Sequence, residues 1–507
     1  MITRSFLFFL LFPLLLSAQN DLLHPDFGAN GVVKFERGYS SSIRSMKPLP
    51  DGRIMLFAFW SDSAFQIRLQ SNGQLDSSFG VNGVLHDFYP KLSLPIDLAG
   101  LPNGQYLALR QYQEGTFIPQ DGFGITKHHL NGDLDTTFGQ GGRTHIILGN
   151  YAIPSAMAVQ NDGKIIALGF RTGQVGVLAR FYPDGQIDST FDGNGIALAH
   201  IDFPYALSAL PDGRFLCAGA RGGAYPDLKM ALARYKENGS LDSSFAVNGR
   251  IDTYFGLQTE LAGAMLVRPN GKIVLGGWMD PLNNKFALVQ FNSDGSTDLT
   301  FGTNGLVTTS FPYGGNISDL ALLPDGKILA FGNAQYVPPG EESPYYSIIA
   351  RYTEQGALDA SFEEQGIFRF LVGAASSAYI QTVYADNSFV FGGEYYPVLP
   401  GPPHFYVART ASITASVAFD PKDAAPVRVY PNPVTDQVVF QLPGESGVTG
   451  VQIRLYYSDG QQIDANIENL ASGQLIWRRT DRLPGTCFYQ IITPDRVFTG
   501  KVICTGN

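Results

Sequence analysis

Six tyrosines stand at one recurring place in this chain. Tyr39, Tyr89, Tyr151, Tyr205, Tyr254 and Tyr313 each follow a repeated phenylalanine by 9–14 residues. A tyrosine joins a flat apolar ring to one hydroxyl and loses few rotamers on contact. A rim of them suits a glycan or a protein ligand at one mouth of a repeat scaffold. The competing reading is that the same side chains pack between repeats. A second recurrence couples an arginine to an aspartate eight residues on: Arg68/Asp76, Arg180/Asp188, Arg234/Asp242 and Arg351/Asp359. Lys127/Asp135 keeps the charges, and Gln290/Asp298 does not. A residue type present in every repeat serves the repeat, so this pattern reads as a structural ion pair or capping network. A row of catalytic arginines is the poorer reading.

Little else has the spacing of chemistry. The histidines (His24, His86, His128, His129, His145, His200 and His404) form no HExxH and no pair at metal-ligand spacing. His128 and His129 are adjacent, and adjacent strand residues face opposite ways. There is no GxSxG elbow and no GxxxxGK[ST] loop, and the Asp-Gly turns lack the calcium-loop pattern. No catalytic residue, metal or cofactor is therefore assigned. Carboxylates from distant repeats can still meet, so a hydrolase or lyase acting on extracellular polysaccharide stands as the alternative to a binding scaffold. A structural envelope component without a small ligand is the third reading. A net charge of −10 with no Lys/Arg-rich run argues against a nucleic-acid partner. Cys217 sits in the apolar run RFLCAG as a small hydrophobe, whereas Cys487 and Cys504 lie on adjacent C-terminal strands and could pair after export.

The elements that must position these residues are written in the repeat itself. LDSSFGVNG (75–83), LDTTFGQGG (134–142), IDSTFDGNG (187–195), LDSSFAVNG (241–249), TDLTFGTNG (297–305) and LDASFEEQG (358–366) recur at intervals of 52–61 residues, after a worn copy LHPDFGANG (23–31). Turns of PDG type carry Gly52, Gly104, Gly163, Gly213, Gly271 and Gly326, with a degenerate ADNS at 385–388. Each period holds four short apolar runs, as in GLVTTSF (305–311), ISDLALL (317–323), KILAFG (327–332) and YSIIARY (346–352). Four such strands with tight turns make a small antiparallel sheet, which must stack on its neighbours to bury both faces. The expected fold is all-β: a seven-bladed β-propeller over residues 19–412, whose last blade is completed by residues 31–36. That three-plus-one closure removes the free edge. The strings resemble the delta-60 repeat family over about residues 23–410, which implies a secreted or surface β-propeller-like protein and no particular reaction.

Both ends of the chain speak of export. Arg4 precedes an apolar stretch from Phe6 to Leu16 and then Ser17-Ala18, the pattern of a signal peptide over residues 1–18. No other segment is long and apolar enough to span a bilayer, so the mature chain is expected to have no transmembrane segment. After a linker at 413–426, alternating runs over 427–507 indicate a small immunoglobulin-like β-sandwich. YPNPVTD (430–436), YYSDGQQI and the terminal FTGKVI resemble the sorting domain of type IX secretion substrates. The sorting motif maps to Tyr430, Pro431, Asn432, Pro433, Asp436, Gly500 and Lys501. That resemblance implies a Gram-negative, Bacteroidota-type source and recognition by the type IX machinery. The protein would then be secreted or attached to the outer face of the outer membrane, after passing the periplasm.

Overall fold

Short apolar runs bounded by Asp-Gly and Asn-Gly turns have the composition of strands, and every described element is a strand. The computed structural model describes residues 22–411 apart from 37–39, 50, 61–62, 87–91, 115–119, 174, 223–227, 254–259, 280–284, 336–344, 364, 385–386 and 400. Beyond them it describes 428–430, 436–442, 452–457, 462–463, 466–470, 474–478, 485–492 and 497–504. The signal segment 1–18 and the linker 413–426 lie outside the described residues. The chain divides into two units, Met1–Ser412 and Ile413–Asn507.

Among its described residues the first unit holds seven antiparallel four-stranded sheets. Ser41–Pro48, Ile54–Trp60, Ser63–Leu69 and Val84–His86 make one of them, and their order in the sheet is their order in the chain. The first strands of the other six are Leu92–Gly100, Ile153–Val159, Phe203–Ala209, Glu260–Val267, Gly315–Leu322 and Ala375–Val383. Each first strand contacts the next, and Ala375–Val383 contacts Ser41–Pro48, so the order returns to its start. The last sheet takes its fourth strand from the N-terminus. Val32–Phe35 pairs antiparallel with His404–Arg409, from Val32 opposite Ala408 to Phe35 opposite Phe405.

Two local devices recur. The ladder between first and second strands skips a residue at one shared place in every sheet, where Arg44, Ile96, Ser155, Tyr205, Gly263, Ser318 and Tyr379 are the extra residues; Leu92–Gly100 has a second shift between Leu92 and Pro95. Such a bulge kinks its strand and re-aims a side chain. Facing it, Gly169, Gly219, Gly277, Gly332 and Gly393 leave room that a Cβ would lack, since it would meet a first-strand carbonyl oxygen at 1.7–2.2 Å. In the degenerate seventh turn Asn387 takes the place of the PDG glycine, at φ +62°.

The second device is the Arg–Asp pair, and the structure makes it a clamp. Asp188 is fully buried; Arg180 Nε donates to it at 2.8 Å, and Thr190 donates from N at 3.0 Å and from Oγ1 at 2.5 Å. Arg68, Arg234 and Arg351 hold Asp76, Asp242 and Asp359 at 2.7, 2.8 and 2.8 Å. The cation after the PDG turn often joins, as Arg53 does on Asp76 at 2.8 Å and Lys272 on Asp298 at 2.7 Å. Each guanidinium also lies over the repeat phenylalanine, Arg234 at 4.5 Å from the centre of Phe245. It then reaches the next sheet, Arg68 donating to the Leu130 carbonyl, Arg180 to that of Glu237 and Arg234 to that of Ser293. One motif therefore ties a turn, a core ring and a neighbouring sheet together.

The exception explains itself through a distant residue. Gln290 keeps Asp298 at 2.6 Å but is too short to reach the next sheet's Glu354 carbonyl. Arg268 supplies that donor instead, from Nη2 at 3.0 Å. Arg268 ends its first strand where Leu49, Leu101, Leu210 and Leu323 end theirs, each with its N–H bonded to the carbonyl of the residue after the turn glycine. The two departures from the repeat thus compensate one another. Arg268→Leu is expected to lower the unfolding midpoint, and adding Gln290→Arg to it should recover most of the loss. Additive losses in the double variant would show the two positions to be independent.

The second unit packs two four-stranded sheets around a core of Val438, Phe440, Leu455, Leu475, Trp477, Tyr489 and Ile491. Asn466–Leu470, polar enough to read as a loop, is an edge strand paired with Gln474–Arg478. Gly485–Ile492 and Val497–Cys504 are adjacent, with Cys487 opposite Val502 and Cys504 opposite Gly485. The two cysteines thus stand diagonally, where Cα separations of about 7–8 Å exceed the usual disulfide range.

Candidate ligand-binding site

The strand order sets two ends on the first unit. Turns between first and second and between third and fourth strands gather at one end, where the clamps stitch sheet to sheet. Loops between second and third strands, and those leading to the next sheet, gather at the other. The cavities at the stitched end, about 730 Å³ around Leu210, Asp212, Arg214 and Asp294 and about 480 Å³ around Arg268 and Glu354, are lined by turn and clamp residues already engaged in holding the repeat.

The open end carries the tyrosines. Tyr151 is 65% exposed in a turn, at φ +54°, and Tyr313 is 57% exposed. Tyr205 stands on a strand: it is the bulged residue of Phe203–Ala209 and is 38% exposed. Burial of its ring pushes the hydroxyl's pKa up. Tyr39, Tyr89 and Tyr254 lie outside the described residues. Exposure of this size shows that Tyr151 and Tyr313 are not packed between sheets. Ladders take up much of the chain at this end. Tyr106–Glu114 pairs with Gln120–His128, and Ile328–Gln335 with Tyr345–Tyr352, so much of 111–124 and 333–347 extends the ladders. Phe389–Tyr396 and His404–Arg409 likewise take up both flanks of 394–405.

Sequence reasoning passed over a polar cluster on the first strands. Arg44 and Lys47 on Ser41–Pro48 are the cations of the seven first strands; the others carry only Asp97, Glu260 and Asp319 as charges. Lys47 Nζ lies 3.7 Å from Asp97, whose carboxylate also accepts from Ser45 Oγ at 2.9 Å and from the Met157 N–H at 3.2 Å. One carboxylate therefore joins three successive sheets. Arg44 is exposed. On the last sheet, Tyr379 Oη donates to Glu394 Oε2 at 3.4 Å. Burial pushes the Glu394 pKa up, against the opposing pull of the Arg44 charge and the Tyr379 hydrogen bond. The signal in the sequence was a first strand carrying two cations, Arg44 and Lys47, where the other six carry none, visible only once the sheets are aligned.

The remaining singled-out groups have local roles. His128 is buried, stacked on Tyr106 at 5.0 Å, with Nε2 2.8 Å from Thr126 Oγ1, whereas His129 lies at the turn near Gln105. Cys217 is wholly buried among Phe215, Ala231 and Tyr235. No group of three metal-ligating side chains occurs among the described residues. Of the sorting motif, Tyr430 and Asp436 are exposed, and Pro431, Asn432 and Pro433 lie outside the described residues. Gly500 and Lys501 are in strand Val497–Cys504, opposite Tyr489 and Phe488.

With this geometry in place, comparison with known proteins points the same way on fold. Residues 160–191, 210–245, 268–301 and 323–362 match the family described as a domain of unknown function (DUF5122) beta-propeller, which supports a propeller repeat protein. No curated protein sequence matches the chain. Among solved structures, one similar in form is a protein of unknown function from Dyadobacter fermentans DSM 18053. It has 10% identity and a TM-score of 0.38, covering 75% of this chain and 99% of that one. Another is a polysaccharide lyase of family PL25, an ulvan lyase, with 8% identity and a TM-score of 0.41, covering 75% and 98%. A third is prolyl oligopeptidase B from Galerina marginata, with 12% identity and a TM-score of 0.37, covering 81% and 56%. Among the described residues no helix is long and apolar enough to cross a membrane.

Proposed function

We propose that the protein is an exported binding or adhesion scaffold of the bacterial cell surface, built as a seven-bladed propeller closed by its N-terminal strand. Its second unit is then a β-sandwich that directs type IX secretion. The observation that carries the binding reading is the contrast between the two ends of the first unit. One end is consumed by repeated clamps, and the other presents Tyr151, Tyr205 and Tyr313 to solvent. Variable loops on a rigid scaffold are where recognition is generally placed. The ligand on this reading is a glycan or a surface protein, with no nucleic acid and no cofactor.

The test is made in a type IX-competent Bacteroidota host. The full chain should reach the outside of the cell, and a chain ending at residue 412 should remain in the periplasm. The exported full-length protein should bind saturably on an array of glycans and surface proteins, releasing no product from the same wells. Tyr151→Ala with Tyr313→Ala should weaken that binding by about thirtyfold, since each lost ring contact is worth roughly 1 kcal/mol. Released product would replace the scaffold with an enzyme, and intact affinity in the double variant would remove the tyrosine rim.

A further inference from the structure

We propose that the wall formed by strands Ser41–Pro48 and Ala375–Val383, with Glu394 behind it, is a subsite for an acidic saccharide. Arg44 would meet the carboxylate of a uronic-acid unit, and Glu394 and Tyr379 Oη its ring hydroxyls. The inference deepens the scaffold reading and rests on it, because it supplies a ligand class for a protein otherwise argued only to bind.

The repeat supplies the first reason. Positions that recur serve the scaffold, so a departure at one position of one sheet calls for a separate cause. At the bulge the other six sheets carry Ile96, Ser155, Tyr205, Gly263, Ser318 and Tyr379, none of them charged. At the place of Glu394 they carry Phe59, Gln111, Phe170, Ala220, Trp278 and Asn333. The two departures meet at the same seam, since Ser41–Pro48 packs against both Ala375–Val383 and Phe389–Tyr396.

Arg268 shows what a structural departure looks like here: its guanidinium fills a role that a missing arginine left open. Arg44 fills none. It is exposed and makes no hydrogen bond or ion pair with any described residue. Lys47 on the same strand is engaged by Asp97. Glu394 is half-buried, receives the Tyr379 hydroxyl on Oε2 at 3.4 Å and feels the Arg44 charge.

The charge balance selects the ligand. A guanidinium is a planar fork matched to a carboxylate, and a glutamate beside it accepts from hydroxyls. A phosphate dianion would be repelled by Glu394, and a neutral sugar would offer the Arg44 guanidinium no carboxylate to pair with its fork. A monoanion bearing several hydroxyls satisfies both groups.

The full chain is titrated with D-glucuronate, D-glucose and inorganic phosphate by ligand-observed NMR. Saturable glucuronate binding is expected, with glucose about tenfold weaker or more and phosphate failing to displace glucuronate. Arg44→Gln should weaken glucuronate by about tenfold while leaving glucose unchanged, and Glu394→Gln should weaken both. Arg44→Lys keeps the charge without the fork and should fall between, which serves if the glutamine variant misfolds. No saturation by glucuronate, equal affinity in the Arg44 variants, or competition by phosphate each overturns the subsite. If array ligands still bind when glucuronate does not, the acidic-saccharide inference falls and the scaffold reading stands; if nothing binds, both fall.

Discussion

Deleting residues 22–36 from the full chain is expected to abolish cooperative folding of the first unit and drive it into aggregates. These residues hold the ends of the repeat array together. Val32–Phe35 forms four register pairs with His404–Arg409, and the His24 N–H donates to the Arg409 carbonyl at 2.8 Å. The Gly28 N–H reaches forward to the Asn72 carbonyl of the first sheet, also at 2.8 Å. Phe27 and Phe35 are buried in a cluster that mixes Ile43, Ile54 and Ile67 of the first sheet with Val390, Phe405 and Val407 of the last. Phe35 stacks on Phe405 at 4.4 Å. Losing one such phenylalanine costs about 3–5 kcal/mol, and a whole domain is stable by only about 5–15 kcal/mol. Deletion also leaves His404–Arg409 as an open strand edge, a template for intermolecular pairing. His24 occupies the place of the clamp aspartate, with the Asp26 N–H 3.3 Å from its Nδ1. With an imidazole there, ladder bonds and apolar burial carry the closure. Size-exclusion chromatography and thermal melting measure the effect. A synthetic peptide of residues 22–36 added in trans should restore the monomer and its transition. A deleted chain that melts within a few degrees of the intact one would show that the ring does not depend on its N-terminal strand.

How much of this was legible in the residues depends on range. The strand pattern, the turn glycines and the Arg–Asp pairing are local and repeated, so each copy corroborates the others. The grouping within a period was less legible: Leu306–Thr309, read together with the three runs after it, is the fourth strand of the sheet before, paired with Lys285–Phe291. Single positions at long range were not legible. Arg268 has meaning only beside Gln290 and the Glu354 carbonyl, and Arg44 only beside Glu394, some 350 residues away. Tyr205 lies on a strand for a local reason: the bulge after Pro204 inserts it as an extra residue in the wall of Phe203–Ala209. Asn466–Leu470 escaped notice because it is a short edge strand with polar residues around the one described core contact, Ile467.

Acid should undo the clamps together. Lowering the pH from about 4 to about 2 is expected to unfold the first unit, since six aspartates have pKa values held below the ordinary carboxylate range. For Asp76, Asp188, Asp242, Asp298 and Asp359, burial alone would raise the value. The hydroxyl and N–H two residues on, together with the flanking cations or Gln290, outweigh it. At Asp135 the Thr137 hydroxyl bond is foremost. Asp359 is held at about 2 by Ser361, Lys327 and Arg351. A carboxyl with a lowered folded pKa binds more protons in the unfolded chain. Its contribution is therefore complete above the unfolded value and drains away as pH falls through the folded one. His128 begins the loss sooner. Burial pushes it down to about 4, so its neutral ring resists protonation as pH drops from about 6.5. Urea midpoints at pH 7, 5, 4 and 2.5 should trace that decline. Arg180→Met tests the clamp at neutral pH by leaving Asp188 buried with Lys164 Nζ 4.0 Å away, and should cost about 3–5 kcal/mol. Asp188→Asn should flatten part of the acid limb, because the group that titrates is gone. Unchanged midpoints down to pH 2.5, or an Arg180→Met variant as stable as the parent, would mean that the repeated pairs follow the fold without supporting it.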